Sequence, residues 1–217
     1  MELEYHYGMP PVVRAHNIME VITEHLGIKP WKLVEDLPLA DYLARAEALA
    51  PKLKSELRFA PKVRALVLED PNGEITTYYR IGERVYVITF TLLDLPVGRF
   101  VPVTAQFRPA MNEIILQLPS GWVKTGQTPE QAGMAEVGEE TGIILKETVP
   151  LRRTGVPVHI GQSKDVIHMM LGIPHNPVVF GPKKLDAGEF ARAVLVPLAD
   201  WMRLLTTDGP DMVSTGA

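Results

Sequence analysis

Hydrophobic spacing divides the chain near Pro61. Before it, Val12 to Leu26 carries apolar residues at roughly helical spacing, with Gly27 as a stop, and this predicts a helix. Leu39 to Leu57 is rich in Ala, Leu, Lys and Glu and predicts further helix, interrupted at Pro51. Beyond Pro61 the pattern turns to strands. Val63–Leu68 and Thr76–Arg80 flank the turn signal Pro71-Asn72-Gly73. Val85–Leu93 is rich in β-branched and aromatic residues, and Arg99–Phe107 and Glu113–Leu118 continue the β pattern. Thr128–Thr141 then reads as a helix. Thr128 is its N-cap, Pro129 its first position, Gln131 closes a capping box, and Gly142 is the stop. Val166–Gly172 and Ala191–Val196 read as later strands and Leu198–Leu205 as a last helix. This order predicts an α/β (α+β) sandwich with a mixed sheet. Residues 1–60 form a helical N-terminal extension, 61–205 the main domain, and 206–217 a small, polar, mobile tail.

Composition narrows the function classes. The 217 residues are 46% hydrophobic and 22% charged, ordinary for a soluble globular protein. The net charge of −4 argues against nonspecific nucleic-acid binding, which needs a basic surface. The absence of cysteine excludes disulfides, thiolate zinc sites and cysteine nucleophiles. No apolar run approaches the ~18 residues of a membrane helix. The N-terminus lacks the basic-then-apolar order of a signal peptide, so a cytoplasmic protein without membrane or nucleic-acid partners is expected.

The chemistry concentrates between Gly121 and Ile143. Glu136, Glu139 and Glu140 stand at i, i+3 and i+4, which puts three carboxylates on one helix face. Three like charges there repel, and a hard divalent cation such as Mg²⁺ or Mn²⁺ would relieve them. The same spacing also suits a solvated acidic face.

The stretch resembles the box of the Nudix family, G-x5-E-x7-R-E-U-x-E-E-x-G-U with U aliphatic. Gly121, Glu136, Val137, Glu139, Glu140, Gly142 and Ile143 match it with unbroken spacing. The resemblance implies a Nudix-type α/β/α sandwich for residues 61–205, with the three glutamates as metal ligands. Two positions depart from the pattern: Gln127 replaces the first Glu and Ala135 the Arg. These losses remove opposite charges and are expected to compensate, because losing one partner of a pair costs more than losing both. Gly133 and Gly138 each cost roughly 1 kcal/mol in a helix interior. Close packing on the sheet or a softened box would account for them.

Flanking segments resemble the ADP-ribose pyrophosphatase subgroup. Gln106-Phe107-Arg108-Pro109 and Glu113 to Gly121 look like its Q-Y-R-P and E-L-P-A-G segments. The resemblance makes Gln106, Arg108 and Gly121 substrate contacts, with the Arg108 guanidinium forked onto a diphosphate. An ion pair is the other reading of Arg108. Ser120 would offer its backbone carbonyl to the metal. Pro157 fits a proline the subgroup carries downstream, and His159 to Asp165 resembles its S-P-G-x-S-x-E loop through Gly161 and Ser163. Ser163 would then contact substrate, and Asp165 would stand where the catalytic glutamate falls, one methylene shorter. Asp165 also reads as a turn carboxylate. Asp186–Glu189 precedes what looks like the family's closing strand and helix. Trp122 suits stacking on a base or, more simply, core packing. The six histidines show no metal-ligand spacing, and no phosphate-binding glycine loop is present.

The implied activity is metal-dependent hydrolysis of a nucleoside diphosphate linked to another moiety, with ADP-ribose or another ADP-sugar foremost, giving AMP and a sugar phosphate. Asp165, or Glu139 in its stead, would take the proton from the attacking water. A homodimer is implied by the resemblance. The rival is a Nudix domain that binds a nucleotide as a sensor and turns it over poorly, which the altered Gln127, Ala135 and Asp165 would favour.

Overall fold

The structure, a computed structural model, describes residues 8–32, 36, 38, 41–42, 63–185 and 191–206. The turn at Pro71-Asn72-Gly73 joins β1 (Val63–Glu69) to β2 (Ile75–Ile81) in an antiparallel ribbon. Asp70 closes it, accepting from the backbone N–H of Asn72 at 2.8 Å and Glu74 at 2.9 Å, and Gly73 takes a left-handed φ of 87°.

Two sheets form the body. The first runs in the order β7 (Ser120–Trp122), β3 (Val85–Thr91), β10 (Val166–Phe180), β8 (Ile143–Pro150), with β9 (Val156–Pro157) also on β10. β3 and β10 are parallel and the other pairs antiparallel, which makes the sheet mixed. The second runs β11 (Ala191–Pro197), β5 (Gly98–Arg108), β4 (Leu93–Leu95), with β6 (Glu113–Gln117) on β5.

Helix α2 (Pro129–Thr141) bridges them. Ala132 packs with Val87 and Met170 of the first sheet, while Val137 packs with Phe100 and Leu195 of the second. The other face of the second sheet buries Val103, Phe107 and Leu116 against Trp201 of α3 (Leu198–Thr206) and against Val13, Ile18, Ile22 and Ile28. Helices therefore lie on both faces of the second sheet, in keeping with the α/β/α expectation. Each fully buried aliphatic side chain contributes roughly 1.5–3 kcal/mol, so Val13, Ile18, Ile22 and Ile28 tie the N-terminal segment into this core.

The first expected helix is shorter than its spacing suggests. Ile18–Glu20 is α1, continued by a π-helical turn over Val21–His25. Ahead of it, Val13 N–H donates to Leu195 O at 2.9 Å and Leu195 N–H to Pro11 O at 2.8 Å, so this piece runs extended along β11. The edge of β11 supplies ladder partners that a helix would forgo. The expected helix over Leu39–Leu57 lies outside the described residues except for 41–42, which are helical. The tail beyond Thr206 and Asp186–Glu189 also lie outside them. β7, β8 and β9 are strands the sequence reading left as connections, and Leu92 breaks the expected Val85–Leu93 strand in two.

Candidate active site

Helix α2 is fixed at both ends by its own sequence. Thr128 Oγ1 accepts from Gln131 N–H at 3.3 Å, and the Gln131 side chain accepts from Thr128 N–H at 3.0 Å. Gly142 ends the helix at φ 76°, donating to Gly138 O at 2.9 Å. Gly133 lets the helix sit close: a Cβ there would be 2.8 Å from Thr89 Oγ1 and 3.3 Å from Met170 Cγ. The packing explanation therefore holds for Gly133. It does not hold for Gly138, whose Cβ would meet only Ile143 O at 3.9 Å.

So placed, all three glutamates turn toward residues 120–124. The Glu136 carboxylate lies against the α-carbon of Gly121, in space a side chain would fill. Glu140 is buried and accepts from Ser120 N–H at 3.3 Å. Glu139 stands 3.8 Å from Lys124 Nζ, a half-exposed pair that offsets little of the repulsion. Carboxylate oxygens of α2 brought against adjacent residues of β7, Gly121 and Ser120, suit a divalent cation in kind. Among the described residues, no three acidic or histidine side chains converge on one point as they stand. Gln127 closes the loop before the helix, its side chain accepting from Lys124 N–H at 3.0 Å, and Ala135 is half-buried.

A polar relay approaches the same strand from the second sheet. Arg108 Nε donates to Gln117 Oε1 at 3.2 Å, and Gln117 Nε2 lies 3.5 Å from Ser120 Oγ. Arg108, Gln117, Ser120 and Glu140 are thereby connected. Strand alternation puts Gln106 on the same face of β5 as Arg108, half-buried and opposite Ile115.

The 159–165 loop is tied elsewhere. Ile81 N–H donates to Gln162 O at 2.7 Å, and Ser163 Oγ accepts from Asp165 N–H at 2.9 Å. Asp165 Oδ1 accepts from Arg84 N–H at 2.7 Å, the geometry of the turn carboxylate. A cavity of about 300 Å³ lies between this loop and the β1–β2 ribbon, lined by Tyr78, Tyr79, Arg80, Ser163 and Lys164 among others. Trp122 departs from core packing. It is 40% exposed, with Arg84 Cζ 3.9 Å from its ring centre and Tyr86 edge-on at 6.1 Å.

Sequence reasoning missed Gln117 and Arg84. A lone amide after Ile114-Ile115-Leu116 in a buried strand was a usable signal for the first, since a buried polar group needs a partner. Arg84 carried none, because Trp122 and Asp165 reach it only through strand pairing.

No protein-family model matches the chain. An ADP-ribose pyrophosphatase of Bacillus subtilis (strain 168) is 27% identical over 156 residues, 70% of this chain and 81% of that protein. An ADP-sugar pyrophosphatase of Mus musculus is 31% identical over 115 residues, 51% of each chain. Among solved structures, the crystal structure of an ADP compounds hydrolase superposes with a TM-score of 0.59 at 18% identity, over 70% of this chain and 78% of that one, which shows a shared fold. These relatives bear out the resemblance seen in the sequence.

Proposed function

On the premise that the chain is a Nudix-type pyrophosphohydrolase similar to ADP-ribose pyrophosphatases, we propose that it hydrolyses the diphosphate of ADP-ribose or another ADP-sugar with a divalent metal. The observation that carries this is the meeting of Glu136 and Glu140 on Gly121 and Ser120 of β7. Glu136, Glu139 and Glu140 are the residues that would hold Mg²⁺ or Mn²⁺, with the Ser120 carbonyl beside them. The ion would neutralise the diphosphate and lower the pKa of a water.

The protein's own groups do the rest. Arg108, held by Gln117, offers its fork to phosphate oxygens and offsets charge that develops there. Gln106 stands beside it on the same strand face. Glu139 is the group to take a proton from the attacking water, since Asp165 is engaged by Arg84 N–H. The cavity at Tyr78, Tyr79 and Ser163 has the size and aromatic lining to receive a base. Val67, Ile75 and Tyr79 of the β1–β2 ribbon are each about two-thirds exposed or more, which supports a second copy of the chain covering it. Among the described residues no helix is long and apolar enough to cross a membrane, and the cytoplasmic expectation stands as part of this proposal.

The test is hydrolysis of ADP-ribose, other nucleotide sugars, dinucleoside polyphosphates and nucleoside triphosphates with Mg²⁺ and Mn²⁺. Release of AMP and ribose phosphate from ADP-ribose is the expected result. Binding of ADP-ribose without product would instead favour the sensor, the reading that the engagement of Asp165 and the neutral Gln127 and Ala135 support.

A further inference from the structure

We propose that Asp165 is a positioning residue, not a base: it holds the Gly82–Arg84 turn so that Arg84 rests on Trp122 and meets the anionic part of the ligand. This rests on the reading of the site as a nucleoside-diphosphate site. The Asp165 backbone is fixed on both sides, donating to Ser163 Oγ at 2.9 Å and accepting from Val158 N–H at 2.9 Å. Its carboxylate accepts from Arg84 N–H at 2.7 Å. Gly82 folds over that carboxylate at φ 72°, and a Cβ there would overlap it. The Gly82–Arg84 turn therefore packs directly on the carboxylate.

What the turn delivers is a guanidinium. Arg84 lies on Trp122, and Trp122 is held by pairing with Tyr86 across β3 and β7. Trp122 follows Gly121, on which Glu136 rests, and shares its strand face with Ser120. Arg84 and the Arg108–Gln117 relay thus flank the two ends of β7. Stacking engages the flat face of a guanidinium, whereas phosphate is recognised through its in-plane N–H groups, so both can occur together.

Asp165→Asn and Asp165→Ala separate the roles, because asparagine keeps an oxygen that can accept from Arg84 N–H and alanine does not. With ADP-ribose and Mg²⁺, Asp165→Ala and Arg84→Gln should each raise KM about tenfold, as loss of a charge-assisted contact does, with kcat nearly kept. Asp165→Asn should restore what alanine loses and leave the pH profile in place. A loss of about 10²–10⁴ in kcat for Asp165→Asn, with the acid limb of the profile gone, overturns the proposal. Trp122 emission reads the brace without turnover. A shift in Asp165→Ala that asparagine reverses, and that vanishes in Trp122→Phe background, supports it. Unchanged emission in Asp165→Ala overturns it. A wild-type protein that neither binds nor cleaves ADP-ribose overturns the nucleotide reading instead, and the emission result then stands by itself.

Discussion

The Glu136 carboxylate occupies the space where Gly121 lacks a side chain. A glycine in a strand marks close approach of another group, and here the group is one of the three acids proposed to hold the metal. Gly121 has an ordinary backbone conformation, so its identity is set by that carboxylate and not by a turn.

Gly121→Ala should therefore leave the fold intact while pushing Glu136 aside. Misplacement of a catalytic group by about 1 Å can cost a hundredfold in rate. ADP-ribose turnover with Mg²⁺ should fall by that order with little change in Tm. A normal rate would remove Glu136 from its proposed place.

The two helix glycines should respond oppositely to alanine. Gly133→Ala forces a methyl toward Thr89 and Met170 and should destabilise by about 1–3 kcal/mol, the range of core overpacking. Gly138→Ala meets only an ordinary contact and should stabilise by roughly 0.5–1 kcal/mol through helix propensity. Denaturant midpoints of the two variants decide this.

Gln127→Glu and Ala135→Arg together should stabilise more than the sum of the two made singly, because each alone restores a charge without its partner. A glutamate at 127 keeps an oxygen for Lys124 N–H, so the loop contact survives. Melts of the singles and the double that merely add would sink the idea.

Asp70 should make the β1–β2 turn sensitive to acid. Backbone N–H bonds from Glu74 and then Asn72 hold its carboxyl below the ordinary range. A folded-state pKa lowered in this way means the contribution is present above the unfolded value and is lost as pH falls through the folded one. Protection of the Asn72 and Glu74 amides from exchange, taken relative to the intrinsic rate at each pH, should fall in acid and should lose that dependence in Asp70→Asn.

The helix that carries the acids was legible because its signals are local. The Thr128 box, Pro129 and Gly142 act within a turn of themselves, and the spacing of Glu136, Glu139 and Glu140 fixes their common face. β7 was not legible. Three residues, Ser120 to Trp122, hold their shape by pairing with β3, more than thirty positions away, and no period of two can register over so short a run. The π-helical turn and the extended approach to it failed for a similar reason, since Val13 answers to Leu195 across the fold.

From the sequence alone came the kinds of group present: carboxylates at one-turn spacing, an arginine ahead of them, a loop ending in Asp165. Only the tertiary structure decided what each one faces. Backbone pairing and side-chain packing set those directions across long separations, so Glu136 found Gly121, Arg108 found Gln117, and Asp165 found Arg84.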